Sequence, residues 1–291
     1  MGRNMKLQTR EAVAGYIFAM PSLLGFGLFF LAPFCVSLWY CFTDGIGTVR
    51  FVGLKNFRDL LASKSFLLAS QNTLLFNLIS VPLIIVASFL LAQLLNKRIK
   101  GVSYFRSFFI LPLVIPVASV ILVWQIIFDM NGALNILTGK LGITPVDWLR
   151  SDWSLGVLTL IYIWKNCGYN VVLFLAAINS IPKEYYESAR IDGAGDFTCL
   201  TKITIPFLIP MGFFVLIMSI INSLKVFREA YLLAGSYPYL RIYQLQHFMN
   251  NNFYNLSYQR LSTAAFMMFT AVSVLVLVLF KMQSRYGRYM A

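Results

Sequence analysis

Read from one charged residue to the next, the chain is free of charge over 12–43, 65–96, 107–128, 203–224 and 261–280, and a sixth run, 153–182, is interrupted only by Lys165. A helix needs about 20 consecutive, mostly apolar residues to cross the hydrocarbon core of a bilayer. The pattern therefore predicts six membrane-spanning helices, at 16–42, 74–95, 108–128, 155–179, 207–229 and 262–280. The expected fold is all-α, a single polytopic membrane domain over 1–291. An even number of spans puts both termini on one side. Pro21, Pro33, Pro82, Pro112, Pro116, Pro206 and Pro210 punctuate the spans. Membrane helices tolerate proline where neighbours satisfy the freed carbonyls, so routine kinks are expected.

Composition agrees. Only 12% of the 291 residues are charged, 59% are hydrophobic and 26 are Phe, and the mean hydropathy is +0.73, a membrane profile. The net charge of +13 would point to nucleic acid in a soluble chain. Here Lys and Arg cap spans instead of forming one basic face, so no nucleic-acid partner is expected.

The same charges set the orientation, because basic residues near span ends stay on the cytoplasmic side. Arg3, Lys6, Arg10, Lys97, Arg98, Lys100, Arg106, Lys183, Arg190, Lys202, Lys281, Arg285 and Arg288 make 13 on one side, against 8 on the other, which lie mostly in longer loops. Both termini are therefore expected in the cytoplasm, with this chain in the plasma membrane. Cys35, Cys41, Cys167 and Cys199 have neither CxxC spacing nor loop positions suited to a disulfide or metal site. The first apolar run is too long for the core of a signal peptide and reads as an uncleaved span, and the start MGRNMK carries no myristoylation signal.

Two segments on the expected outer side are long, 43–71 and 230–261, and the second is rich in Tyr, Asn and Gln. Such side chains stack on and hydrogen-bond sugars, but Tyr also belongs at any membrane interface. His247, alone there, makes neither a metal site nor a proton relay. No inverted repeat of the secondary-transporter kind is found, and no GxxxxGK[ST] occurs, so any ATP used must be hydrolysed by another chain.

The connection between the fourth and fifth spans, SIPKEYYESARIDGAGDFTCLTKITIP, is 27 residues long, more than packed helices need. Its chemistry predicts a short helix. Pro182 suits the first helical position, Glu184 the positive N-terminal end, Arg190 the last turn and Gly193 the stop, while Lys183 and Glu187 stand four apart. At ~11 residues and ~16 Å it is too short and too polar to span. Ser188, Ala189, Gly193 and Ala194 are small enough for a partner to approach closely, and Tyr185 and Tyr186 offer anchoring area. Asp196 is placed as the N-cap of the helix that returns to the membrane past Pro206.

Glu187-Ser188-Ala189, then Gly193-Ala194, then Ile203-Thr204-Ile205-Pro206 resemble the EAA signature of permease subunits in binding-protein-dependent, ATP-driven (ABC) importers. Ser188 stands for the first Ala and Ile205 for a Leu, both close in size or character. FVGLKNFRDLL, RSFFILPLVIPVASVILVWQIIF, IWKNCGYNVVLFLAAINSIPKEYYESA and KVFREAYLLAGSYP extend the likeness over nearly the whole chain. It is most similar to the carbohydrate branch, and there to the first permease of the maltose and glycerol-3-phosphate importers. The resemblance implies the type I importer permease fold, with a cytoplasmic coupling helix in the loop 181–204 that docks on the ATPase. It also implies a second homologous permease, two ATPase subunits that hold ATP and Mg, and an extracellular or lipoprotein solute-binding protein. Carried onto this chain, coupling falls to Glu187, Ser188, Ala189, Gly193, Ala194 and Pro206, and this chain itself binds no cofactor and is no enzyme.

Charges within spans default to a functional role, because they are costly there. Lys165 in the fourth span, with Lys225, Arg228 and Glu229 toward the outer end of the fifth, are the candidates, either paired with one another or lining a pathway. Arg228 departs from the family, which commonly has an acid after the Phe of VF; Glu229 supplies one a place later, or pairs with Lys225 at four residues' spacing. Asn166, Tyr169, Asn170 and Asn222 are uncharged groups suited to sugar hydroxyls. The leading reading is an importer of sugar, an oligosaccharide in particular. A phosphorylated polyol, served by Lys165 and Lys225, is the alternative. An ion-coupled carrier would need more intramembrane acids than Glu229, and no cluster of His, Asp and Glu supports a membrane enzyme.

Overall fold

The computed structural model describes residues 2–45, 49–96 and 102–289, with side chains over 11–45, 49–96 and 108–285. Of the basic residues that set the expected orientation, Lys97, Arg98 and Lys100 lie outside the described residues, as do the side chains of Arg3, Lys6, Arg10, Arg106 and Arg288. Among the described residues, six helical stretches are long and apolar enough to cross a membrane: Glu11–Cys41, Lys64–Asn96, Val117–Gly139, Ser154–Asn179, Asp196–Ala234 and Tyr258–Arg285. The chain divides into two compact units, one formed by 1–63 with 252–270 and one by 64–251 with 271–291.

In the first unit, α1 (Gly2–Phe26), a π-turn (Gly27–Leu31) and α2 (Ala32–Cys41) form a continuous helical run. It is followed by a two-residue antiparallel ladder, β1 (Thr43–Asp44) with β2 (Arg50–Phe51), and by α3 (Lys55–Leu61). Asn56 organises this loop, its Nδ2 donating to the carbonyls of Cys41 at 3.1 Å and Thr43 at 2.8 Å. Phe57 packs its ring near both Phe42 and Phe266, the latter at the start of α14 (Tyr258–Tyr289). Phe18, Phe29 and Phe30 stay exposed along the run, an apolar surface suited to lipid or to another subunit.

The second unit holds α4 (Lys64–Asn96), α5 (Val102–Val114), α6 (Val117–Phe128), α7 (Ala133–Gly139) and α8 (Ser154–Asn179). After these come α9 (Lys183–Ile191), α10 (Asp196–Cys199), a second π-turn (Leu200–Thr204), α11 (Ile205–Leu224), α12 (Phe227–Ala234) and α13 (Leu245–Tyr254). Helix α8 is central and packs on α4, α5 and α11. The core joins Phe76, Ile84 and Ala92 of α4 to Leu158, Tyr162, Val171 and Phe174 of α8 and to Leu208 and Val215 of α11. Polar contacts reinforce it: Tyr162 donates its hydroxyl to the Ser219 carbonyl at 2.7 Å, and Asn170 donates to Ser219 Oγ at 3.0 Å. Between helices in a bilayer, packing and such hydrogen bonds replace the hydrophobic drive available in water.

The prolines explain the main departures from the expected spans. The stretch 108–128 is not one helix; α5 ends at Val114 and α6 starts at Val117. Pro116 offers no N–H to the Pro112 carbonyl, and a residue preceding proline is pushed out of helical geometry, so the chain breaks at 115–116. The fifth span also breaks, at Lys225–Val226, where N–H groups bond three residues back, Lys225 to Asn222 and Val226 to Ser223. Pro33 and Pro206 are handled differently. Each stands two residues past a π-turn, in which the N–H of Ala32 reaches the Gly27 carbonyl and that of Ile205 reaches Leu200. The extra residue relieves the clash of the ring with the carbonyl four back, and the helix continues.

The segment 230–261 spends much of its polarity on itself. Asn251 donates to the Ser236 carbonyl at 3.1 Å, and Asn72 of α4 donates to the carbonyls of Leu240 and Tyr243. His247 is fully buried against the Phe227 ring, accepts the Gln244 N–H at Nδ1 and has its pKa pushed down to about 4 by burial.

Candidate functional site

Helix α9 covers nine residues, Lys183–Ile191, with Pro182 as its extended N-cap instead of its first helical residue. Its end is a complete Schellman turn. Gly193 has φ +81° and donates to Arg190 at 3.1 Å, while Ala194 donates to Ala189 at 2.8 Å. Those two bonds satisfy carbonyls that a helix end otherwise leaves open, and the positive φ favours glycine. The Ala189, Gly193, Ala194 spacing of the signature is thus the spacing of this turn. Glu187, Ser188 and Gly193 are exposed, and Ala189 and Ala194 are half-buried.

Beside the turn stand Ile191, 87% exposed, and Phe197, 77% exposed. Large apolar side chains that far out of a polar element mark a contact surface. Sequence reasoning passed over both, although they bracket the glycines as the only large apolar residues of 190–197. The tyrosines are used inside the chain: Tyr186 and Thr204 hydroxyls meet at 3.0 Å, and the Tyr185 ring lies 5.0 Å from that of Phe207. They fasten α9 to the start of α11. Asp196, expected as an N-cap, is the first residue of α10, and Gly195 caps it with no side-chain bond. The Arg190–Asp196 pair at 3.7 Å is exposed on both sides and adds little.

A second constellation lies where α8, α11 and α12 converge with the end of α5. A cavity of about 140 Å³ is lined by Leu113, Tyr162, Lys165, Asn166, Asn222, Lys225, Val226, Arg228 and Glu229. Six residues singled out in the sequence, Lys165, Asn166, Asn222, Lys225, Arg228 and Glu229, meet here. Tyr169 and Asn170 do not line it; Asn170 is buried against Ser219. Tyr162 was missed, although it precedes Lys165 by three residues and so shares its helix face.

Glu229 pairs with Lys165 across 64 residues of sequence and not with Lys225, as its four-residue spacing had suggested. The pair is unequal in burial, the Glu229 side chain being 5% exposed and that of Lys165 20%. Glu229 Oε2 is buried with no hydrogen-bond partner. Lys225 and Arg228 are exposed, and among the described residues no carboxylate lies within ion-pair distance of either. The break at Lys225–Val226 separates α11 from α12 beside these groups.

The model of the family "Binding-protein-dependent transport system inner membrane component" matches residues 76–288. The probable ABC transporter permease protein YesP of Bacillus subtilis is 31% identical over 291 residues, covering 96% of this chain and 93% of that protein. The trehalose/maltose transport system permease protein MalF of Thermococcus litoralis is 31% identical over 238 residues, covering 80% of this chain and 81% of that protein. In fold, the chain matches one from the crystal structure of a bacterial ABC transporter involved in the import of the acidic polysaccharide alginate. The TM-score is 0.86 at 24% identity, covering 97% of this chain and 99% of that one. With a family match over most of its length and a relative aligned almost end to end, this multi-pass membrane chain belongs to the inner membrane components of binding-protein-dependent transport systems.

Proposed function

We propose that this chain is the permease of an ATP-driven saccharide importer, in which α9 and the Schellman turn dock on a separate cytoplasmic ATPase. ATP and Mg are held by that ATPase, a second homologous permease completes the pore, and an extracellular binding protein delivers the sugar. Both termini then lie in the cytoplasm with α9. The carrying observation is the element itself: a polar helix outside the spans, closed by Gly193 at φ +81°, presenting Ile191 and Phe197. The trehalose/maltose permease MalF among the relatives supports a saccharide as cargo.

The coupling path is then physical. Tyr186 and Tyr185 fasten α9 to Thr204 and Phe207, and α11 runs 20 residues, about 30 Å at 1.5 Å per residue, to Asn222 and the cavity. Closure of the ATPases moves α9, and α11 carries the displacement to the polar groups that hold cargo, Lys165, Asn166, Asn222 and Lys225, with Tyr169 and Asn170 on the same helix. A Cβ at Gly193 meets nothing of this chain within 4 Å, but the φ of +81° strains any L side chain there, so a bulky residue disturbs both the turn and what docks on it. Gly193→Trp is expected to release the ATPase or leave its hydrolysis uncoupled from uptake in proteoliposomes. A Gly193→Trp complex that assembles and transports like the parent refutes the docking assignment.

A further inference from the structure

Resting on the saccharide reading, the geometry points to a narrower cargo: we infer that the cavity between α8, α11 and α12 receives a saccharide unit bearing an anionic group, held by Lys225 and Arg228, with a hydroxyl donated to Glu229.

The charges in the cavity do not balance. Three cations, Lys165, Lys225 and Arg228, face one carboxylate, Glu229, and that carboxylate is engaged by Lys165. Lys225 and Arg228 thus stand together without a counter-charge among the described residues. Both are exposed on this chain and line the same cavity, so an anion entering there meets two like charges that no carboxylate among the described residues neutralises. The Arg guanidinium offers a planar fork matched to a carboxylate or phosphate, and the Lys ammonium a compact second charge.

The second observation is independent of that sum. Glu229 is 4% exposed, yet its Oε2 has no donor. An ionised carboxylate is acceptor-only, so the atom it lacks is a donor, which a sugar hydroxyl provides and a second anion does not. Asn166 and Asn222 add amides at the same walls. The cavity's 140 Å³ is well above the roughly 10–15 Å³ at which a site first admits one water, so a polar group has room to enter. Donor-seeking Glu229 and anion-seeking Lys225 and Arg228 line the same cavity, so a single ring carrying both a hydroxyl and an acid can answer both.

The test uses the full transporter reconstituted with its own partner permease, ATPases and binding protein. The probes are neutral gluco-, galacto- and manno-configured trisaccharides, their C6 carboxylates and their phosphate esters. Uptake is compared for the parent, Lys225→Gln/Arg228→Gln and the charge-retaining Lys225→Arg/Arg228→Lys. The charge-removed variant should raise the half-saturating concentration of an anionic trisaccharide on the order of ten-fold more than that of the neutral one, and that difference should be rescued by the charge-retaining variant. A loss confined to phosphate esters or to carboxylates keeps the inference and names the source of the anion. Equal effects on neutral and anionic sugars, or loss of subunit assembly in place of affinity, overturn it and leave the saccharide reading standing. If none of these saccharides drives ATP-dependent uptake, the saccharide reading falls and takes this inference with it.

Discussion

Replacing Lys165 by Met removes the one partner of a carboxylate that is only 5% exposed and whose Oε2 is already unbonded. Breaking a buried pair from one side costs about 3–5 kcal/mol, because the remaining charge is left uncompensated. The reverse change, Glu229→Gln, strands Lys165, but its side chain is 20% exposed and can turn its ammonium toward water along a flexible stem. That loss should be about 1–2 kcal/mol. The double variant Lys165→Met/Glu229→Gln carries no buried charge and should resemble Glu229→Gln alone, a coupling of about 3–5 kcal/mol. Unfolding of the four proteins in mixed micelles, followed by tryptophan fluorescence, gives the cycle. Trp124 and Trp164 lie 5.7 Å apart, the latter next to Lys165, so the probe is local as well as global. Single losses that are equal and simply add would refute the reasoning, since independent residues do not couple.

Two further outcomes follow from the same geometry. At Gly168 a Cβ would fall 1.7 Å from the Phe109 carbonyl oxygen, backbone that cannot rotate aside, so Gly168→Ala should force α5 off α8 and destabilise by about 3 kcal/mol; an unfolding midpoint equal to the parent's would disprove that close approach. His247 holds a folded pKa of about 4 against an ordinary 6.5, so below pH 6.5 the unfolded chain takes a proton that the folded one refuses. Its contribution to stability is complete above pH 6.5 and is lost as pH falls toward 4, by about 1.4 kcal/mol per unit and about 3 kcal/mol in all. His247→Gln should flatten that part of the acid-stability curve, and an unchanged curve would show that the histidine is protonated in the fold.

The charge-free runs carried the six spans well because the cost of a charge in hydrocarbon acts residue by residue. What they could not carry was what happens inside a run. Pro116 breaks the third span while Pro33 and Pro206 leave theirs continuous. Pro21, Pro82, Pro112 and Pro210 sit inside continuous helices with no π-turn immediately before them, so whether a ring breaks its span is decided by the packing around the helix and not by the proline. Nor could they show where a polar loop residue points. Asn56 and Asn72 bind carbonyls of their own chain, although as sequence they look as fit for a sugar as Asn222.

The two candidate sites differ in legibility for a related reason. The docking element is a local object: the bonds from Gly193 to Arg190 and from Ala194 to Ala189 reach back three and five residues, so its geometry is written in spacing and survives the exchange of a first Ala for Ser188. The cavity is a non-local one. Lys165 and Glu229 are 64 residues apart, and whether they meet depends on the register of α8 against α12, which the break at Lys225–Val226 resets. Spacing along one helix therefore offered Lys225 as the partner of Glu229, and the structure gave Lys165. Had α11 continued without that break, a rise of 1.5 Å per residue and 100° of rotation would have kept Lys225 and Glu229 on one face as an i, i+4 pair, and Lys165 would then have been the free cation beside Arg228. The turn that spoils the helix thus decides which lysine is left unpaired, while the excess of two cations over Glu229 is set by the cavity's composition and would survive restored helical continuity.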